Sequence, residues 1–302
     1  MAMGHQIHLH PIAAGTAFLL LFAACPRSVE ALAAGTSHTC SLTKPERTAV
    51  CWGWDVSGQV SNGPPGERYK SIAAGAKHTC GLREDGRVTC WGAALNDVTK
   101  VPEGEVFVQL KSGYWHNCGL RSNGTVACWG SKTFGMSDPP AGELFDTISA
   151  GSSQTCGIRS SDHKVLCWGN TEKGTPIPSQ EVFATVSVGE YHACGVREHD
   201  RDVSCWGLDH YGQASVPPGN HRFTMVVAGG DHTCGVLEAD HSVLCWGLAK
   251  DGQCAPPAER FSTLVAGVYH TCGARLHDEA TLCWGRHNDG QTKVPKGHEW
   301  EL

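Results

Sequence analysis

The sequence predicts an all-β fold, a seven-bladed β-propeller, on three observations. A segment typified by IAAGAKHTCGLREDGRVTCWG, residues 72–92, returns seven times at steps of 38 or 40 residues, and such a period marks units that bury their apolar faces only by stacking on one another. Within each copy the apolar and β-branched runs are short and bounded by turn residues, which favours strands over helices. In each copy a C-W-G is followed by a polar turn and a proline-bearing segment that leads to the next copy. That gives four short strands per copy, and seven small four-stranded sheets are what a closed propeller of about 38-residue repeats needs.

The second copy sets the register for the rest. Ile72-Ala73-Ala74 and Val88-Thr89-Cys90-Trp91 read as strands, and Glu84-Asp85-Gly86 as a three-residue hairpin loop with glycine where φ is positive. Facing Cys80 with Cys90 puts Leu82 opposite Val88 and His78 opposite Gly92. The same register sets His38 against Gly53, His116 against Gly130, Gln154 against Gly169, His192 against Gly207, His232 against Gly247 and His270 against Gly285. Copies with one more residue between cysteines take a four-residue loop, such as Glu198-His199-Asp200-Arg201.

One disulfide per repeat follows: Cys40 with Cys51, Cys80 with Cys90, Cys118 with Cys128, Cys156 with Cys167, Cys194 with Cys205, Cys234 with Cys245 and Cys272 with Cys283. Each closes a short loop and contributes about 2 to 3 kcal/mol in the chain-entropy model. Paired cysteines without C-x-x-C indicate a disulfide framework and an oxidising compartment rather than zinc. The sixteen cysteines leave Cys25 and Cys254 over. Cys254 reads either as a half-buried free thiol or as a link to another chain.

The histidines at one equivalent position, His38, His78, His116, His192, His232 and His270, could ring a metal at the axis. Their glycine partners favour a structural role, because a side chain facing glycine has room to lie across the next strand and bond main chain there. Six residues before the glycine of each copy stands Val29, Tyr69, Phe107, Phe145, Phe183, Phe223 or Phe261, and the phase continues to Trp300. With Trp52, Trp91, Trp129, Trp168, Trp206, Trp246 and Trp284, these read as inter-repeat core. The Gly-Gln turns at Gly58-Gln59, Gly212-Gln213, Gly252-Gln253 and Gly290-Gln291 lead into proline segments suited to an edge strand.

Residues 1–31 read as a signal peptide, with an apolar core from Ile12 to Cys25 and cleavage after Ala31, leaving 32–302 as the propeller. The alternative, Phe22-Ala23-Ala24-Cys25, is similar to a bacterial lipobox and makes Cys25 a lipid anchor. Both imply export, to the extracellular space or, in a bacterium, to the periplasm. No other segment suggests a membrane span. Asn123-Gly124-Thr125 is a glycosylation sequon on the third hairpin. Hairpin tips such as Asp162-His163 and Asp240-His241 read as solvated loops or weak cation sites. A net charge of −6 without a basic run argues against nucleic acid. The sequence carries no G-x-S-x-G, H-E-x-x-H or phosphate-cradling loop, so neither a catalytic residue nor a cofactor is expected.

With G-x-x-H-T-C-G-L, a hairpin, V-x-C-W-G and then G-Q, residues 29 to 300 resemble the regulator-of-chromosome-condensation repeat family. That resemblance implies a seven-bladed propeller, and the cysteines on both hairpin strands look most like its extracellular branch, which includes crinkly-type receptor ectodomains. It also implies that the two residues between glycine and histidine meet partners: Thr36-Ser37, Ala76-Lys77, Tyr114-Trp115, Ser152-Ser153, Glu190-Tyr191, Gly230-Asp231 and Val268-Tyr269. These vary while their flanks repeat. A lectin with one sugar site per blade should repeat its contacts, so the variation favours a single protein or peptide partner. The expected face carries Lys77, Tyr114, Trp115, Glu190, Tyr191, Asp231 and Tyr269. A glycan partner and an enzyme using the histidine-lined axial metal are the alternatives.

Overall fold

In the second repeat the chain reverses at Glu84-Asp85-Gly86, where Gly86 has φ of 82°, and the returning strand sets Cys80 directly opposite Cys90, Leu82 opposite Val88 and His78 opposite Gly92. The computed structural model, which describes residues 31–171, 174 and 176–298, repeats this hairpin seven times. Every expected histidine–glycine or glutamine–glycine register pair is present. All seven expected disulfides join facing cysteines of one repeat.

Each sheet has an inner, a middle and an outer strand, antiparallel and in chain order. The inner strands are Leu32–Ala34, Tyr69–Ala74, Gln109–Ser112, Phe145–Ala150, Phe183–Val188, Phe223–Ala228 and Phe261–Ala266. The expected fourth strand is absent among the described residues. After Gly53 the chain turns on itself, with Gly58 N–H bonded to Asp55 and Asn62 N–H to Gly58, and prolines beyond remove the donors a ladder would need. The outer edge is thereby left irregular, which itself discourages pairing between molecules.

The periodic aromatics fill the seams between blades. Tyr69 is buried with Leu42 and Cys40 of the preceding repeat and Trp91 of its own; a register shift after Tyr69 turns its ring onto Gly81, where a Cβ would lie 2.3 Å from it. Ring closure is direct: Leu32 and Trp52 of the first repeat pack with Cys272 of the last and with Val294. In the longer hairpins a non-glycine residue takes the left-handed position, Arg201 at φ 62° and His241 at 59°, and its carbonyl accepts the N–H of the next blade's aromatic, Phe223 and Phe261 respectively. That inter-blade bond offsets the local backbone strain.

The leader and Cys25, Val29 and Trp300 lie outside the described residues. Ala31, the residue expected at the cleavage site, is buried in the first seam, and its carbonyl accepts the N–H of Leu42. No helix of the described residues is long and apolar enough to cross a membrane.

Candidate binding face

Each of the six histidines is fully buried, but its partner is a side chain of the next blade rather than the expected main chain. His38 Nε2 lies 2.9 Å from Thr79 Oγ1, His116 2.7 Å from Thr155, His192 2.8 Å from Thr233, His232 2.8 Å from Thr271 and His270 2.8 Å from Thr39. His78 meets Asn117 Oδ1 at 2.9 Å. The hydroxyls of Thr39, Thr79 and Thr233 donate to the carbonyls of Gln291, Gln59 and Gln213, and this decides the tautomer: each hydroxyl accepts a hydrogen bond from the histidine Nε2–H, and Nδ1 carries no proton. Burial lowers the imidazole pKa to about 3 at His38, His116 and His232 and about 4 at His78, His192 and His270. The rings are neutral seam residues. Among the described residues no three histidine, cysteine, aspartate or glutamate side chains gather as a metal site.

The Gly-Gln turn completes the seam. Gln59, Gln213, Gln253 and Gln291 accept the N–H two residues earlier through Oε1, while their carbonyls accept the indole N–H of Trp91, Trp246, Trp284 and Trp52.

At one end of the molecule the inner strands finish around the axis. In six blades the residue after the strand glycine reaches the next blade, as where Tyr114 N–H donates to Gly151 and Glu190 N–H to Gly229. The geometry requires glycine: a Cβ on Gly151 would sit 2.1 Å from the Gly189 carbonyl. The ring encloses a cavity of about 70 Å³, walled by small residues, with Tyr114 and Glu190 at its rim. Blades three, five and seven converge here. The Tyr114 hydroxyl is pushed up by burial and by the fields of Glu190 and Tyr269. The Glu190 carboxyl is raised by burial, lowered by a hydrogen bond from Tyr191 and raised by Asp231. Asp231 is itself raised by burial. Tyr114 packs edge-on to Trp115, ring centroids 5.1 Å apart.

Two expected residues, Lys77 and Tyr269, have partners that sequence reasoning missed. The ammonium of Lys77 lies 5.0 Å from the Trp54 ring and the Arg286 guanidinium 4.9 Å from Tyr269. Their position was legible in principle, since the residue after C-W-G donates its N–H to the residue before the histidine: Trp54 to Ser37, Leu208 to Tyr191, Arg286 to Tyr269. The turns beyond add exposed Val56, Leu95, Phe134 and Tyr211 to the same end. Phe134 is 64 % exposed and holds φ at 58°, which for a bulky residue is a strained conformation.

The opposite end is laced with ion pairs. Arg83, Arg121, Arg159, Arg197 and Arg275, which end or directly follow middle strands, meet Glu67, Glu105, Glu143, Glu181 and Glu259, each sixteen residues earlier. His163 lies 3.0 Å from Glu198 and 3.6 Å from Asp146, and the hydrogen bond with Glu198 first, then the nearby carboxylates, raises its pKa. Asn123 is exposed on its hairpin, its side-chain oxygen accepting from the Thr125 N–H and hydroxyl. Cys254 is an unbonded, half-buried thiol donating to the carbonyls of Trp246 and Leu248; burial pushes it up to about 11, which keeps it protonated and unreactive.

The model of the regulator of chromosome condensation (RCC1) repeat matches residues 69–97, 107–135, 183–213 and 224–253. Four of the seven repeats match the RCC1 repeat. Among solved structures it is similar to the CRINKLY WD40 ectodomain of the Arabidopsis thaliana receptor kinase ACR4, at 26% identity and TM-score 0.75, covering 90% of this chain and 98% of that one. The ectodomain of the Physcomitrella patens receptor kinase CR4 is 29% identical at TM-score 0.75, covering 84% and 73%. Saccharomyces cerevisiae Prp20p, described with its binding to Gsp1p and histones, shares the fold at 16% identity and TM-score 0.69, covering 90% and 85%. The unmatched repeats, such as the fourth with Gln154, keep the same sheet and disulfide.

Proposed function

We propose that this RCC1-repeat propeller is an extracellular, non-catalytic binding module that recognises a protein or peptide through its axial end. The observation that carries the reading is the contrast between the two ends. One carries arginine–carboxylate pairs, whereas the other carries the exposed Phe134, Tyr191 and Tyr211 and the partly buried Tyr114 and Trp115 together with Glu190 and Asp231, and aromatic groups are over-represented among residues that carry interface energy. Export is supported by seven disulfides and by likeness to receptor ectodomains. A polypeptide is favoured over a sugar because the axial cavity, about 70 Å³, is far below the several hundred Å³ of ordinary small-ligand pockets.

The test is affinity capture from the native extracellular fraction with the mature protein as bait. Trp115→Ala and Tyr191→Ala should each weaken capture by about 2 kcal/mol, roughly thirtyfold, with Ser153→Ala as control and melting temperature unchanged. Aromatic variants that melt early yet hold the partner would show the rings to be core and overturn the assignment.

A further inference from the structure

Glu190 is the single charged residue on the rim of the axial cavity, and it enters no ion pair among the described residues. Its nearest electrostatic influences are a hydrogen bond from Tyr191 and the like charge of Asp231. A half-buried carboxylate in the field of another carboxylate is destabilised, and a cation brought beside it relieves that cost. The molecule has cations at this end and does not supply them to Glu190. Lys77 lies over Trp54 and Arg286 over Tyr269, while the influences of Lys250 and His210 fall on Asp231. The cavity behind Glu190 is walled by Ala34, Ala74, Ala150, Ala228 and Ala266 and the ring glycines, so it suits the apolar stem of a long side chain as well as its head.

Size and chemistry narrow the occupant. About 70 Å³ accommodates a few heavy atoms. Calcium needs six to eight oxygen ligands, and no cluster of three or more candidate ligand residues forms among the described residues. Tyrosine and tryptophan faces beside a carboxylate attract an ammonium or guanidinium group. Resting on the reading of this end as the binding face, we propose that the axial cavity receives a lysine or arginine side chain projecting from the partner polypeptide, with Glu190 as its counter-ion and Tyr114 and Tyr191 beside it.

The probes are blocked pentapeptides, four glycines around a central arginine, lysine, citrulline or norleucine, titrated calorimetrically into the mature protein. One charged group between a carboxylate and aromatic rings gives affinity on the millimolar scale. The arginine and lysine peptides should bind at least about tenfold more tightly than the citrulline and norleucine peptides, the energy of one charge-assisted contact. Glu190→Gln should abolish that preference, Glu190→Asp should retain it, and Glu84→Gln on the opposite end should leave it intact, each with an unchanged melting temperature. Equal binding of charged and neutral peptides, no binding of the arginine peptide at about 10 mM, or a preference that survives Glu190→Gln would each overturn the proposal. If Trp115→Ala abolishes partner capture while Glu190→Gln leaves it whole, the binding face stands and the cation falls; if neither matters, the face itself is wrong.

Discussion

Gln154 stands where six other repeats carry histidine, and two further residues change with it. The next blade offers Ala193 where its counterparts have threonine or asparagine, so the hydroxyl that would have bonded the imidazole is missing. Val188 replaces the alanine or serine found at Ala34, Ala74, Ser112, Ala150, Ala228 and Ala266, and its methyl occupies the space beside Gly151 that a histidine ring fills beside Gly35 or Gly75. Seam four is a compensated apolar variant of the other six. Restoring Gln154→His alone should destabilise, whereas Gln154→His with Ala193→Thr and Val188→Ala should recover at least about 1 kcal/mol of that loss. Denaturation of the single, double and triple variants measures the coupling, and simple additivity would refute it. The six histidines also predict a pH dependence. Unfolded imidazole binds its proton near 6.5, but burial holds the folded values at about 3 to 4. Between these limits the unfolded chain carries more protons, so stability rises with pH, is fully present above about 6.5 and falls as pH drops toward 4. Each histidine contributes about 1.4 kcal/mol per pH unit in that window. Urea midpoints from pH 7.5 to 4.5 give the slope, and a flat profile would contradict neutral burial.

At the scale of the element, the hairpin and its disulfide form a unit whose register the cysteines determine. Facing cysteines sit about 4 Å apart at Cα in every repeat. Non-reducing peptide mapping should return seven pairs, each within one repeat, and a bridge between repeats would break the register argument. Each loop of ten or eleven residues' separation constrains the unfolded chain by about 3 kcal/mol. Reduction should therefore lower the denaturation midpoint severely. The three-stranded blade also depends on the turn beyond its outer strand. In that Gly-Gln turn the glutamine amide caps its own loop and the glutamine carbonyl faces the next blade's tryptophan and threonine, so one residue serves two blades.

For the whole molecule, closure rests on the same device used between neighbours. Gln291 of the last repeat accepts from Trp52 Nε1 at 2.8 Å and Thr39 Oγ1 at 2.9 Å in the first, and His270 bonds the same threonine. A chain ending after Arg286 would strand two buried donors and uncover Leu32 and Trp52. It should lose about 2 to 6 kcal/mol, at 1 to 3 kcal/mol for each unsatisfied group, read as a lower urea midpoint. Because seven seams form a ring, damage at one opens the two inner strands beside it, and the axial face assembled from blades three, five and seven would lose its geometry with it.

The repeat period, the hairpin register, the cysteine pairs and the seam aromatics were all readable from the chain, because each follows from local spacing and the two-residue alternation of a strand. Ring closure was legible only as a count of seven. What the tertiary structure decided lies between repeats. A histidine's partner is thirty-nine or forty-one residues away in most seams, so no local pattern reveals that Thr79 rather than main chain receives His38, although H-T-C against H-A-C held the clue. The fourth strand failed because proline and turn hydrogen bonds outcompete an edge ladder whose other side faces solvent. The family resemblance, rather than spacing, placed the variable pairs at one end, and the convergence of Tyr114, Glu190 and Tyr269 from alternate blades depends on the diameter of the ring, which the glycine-to-carbonyl approach between neighbouring inner strands sets.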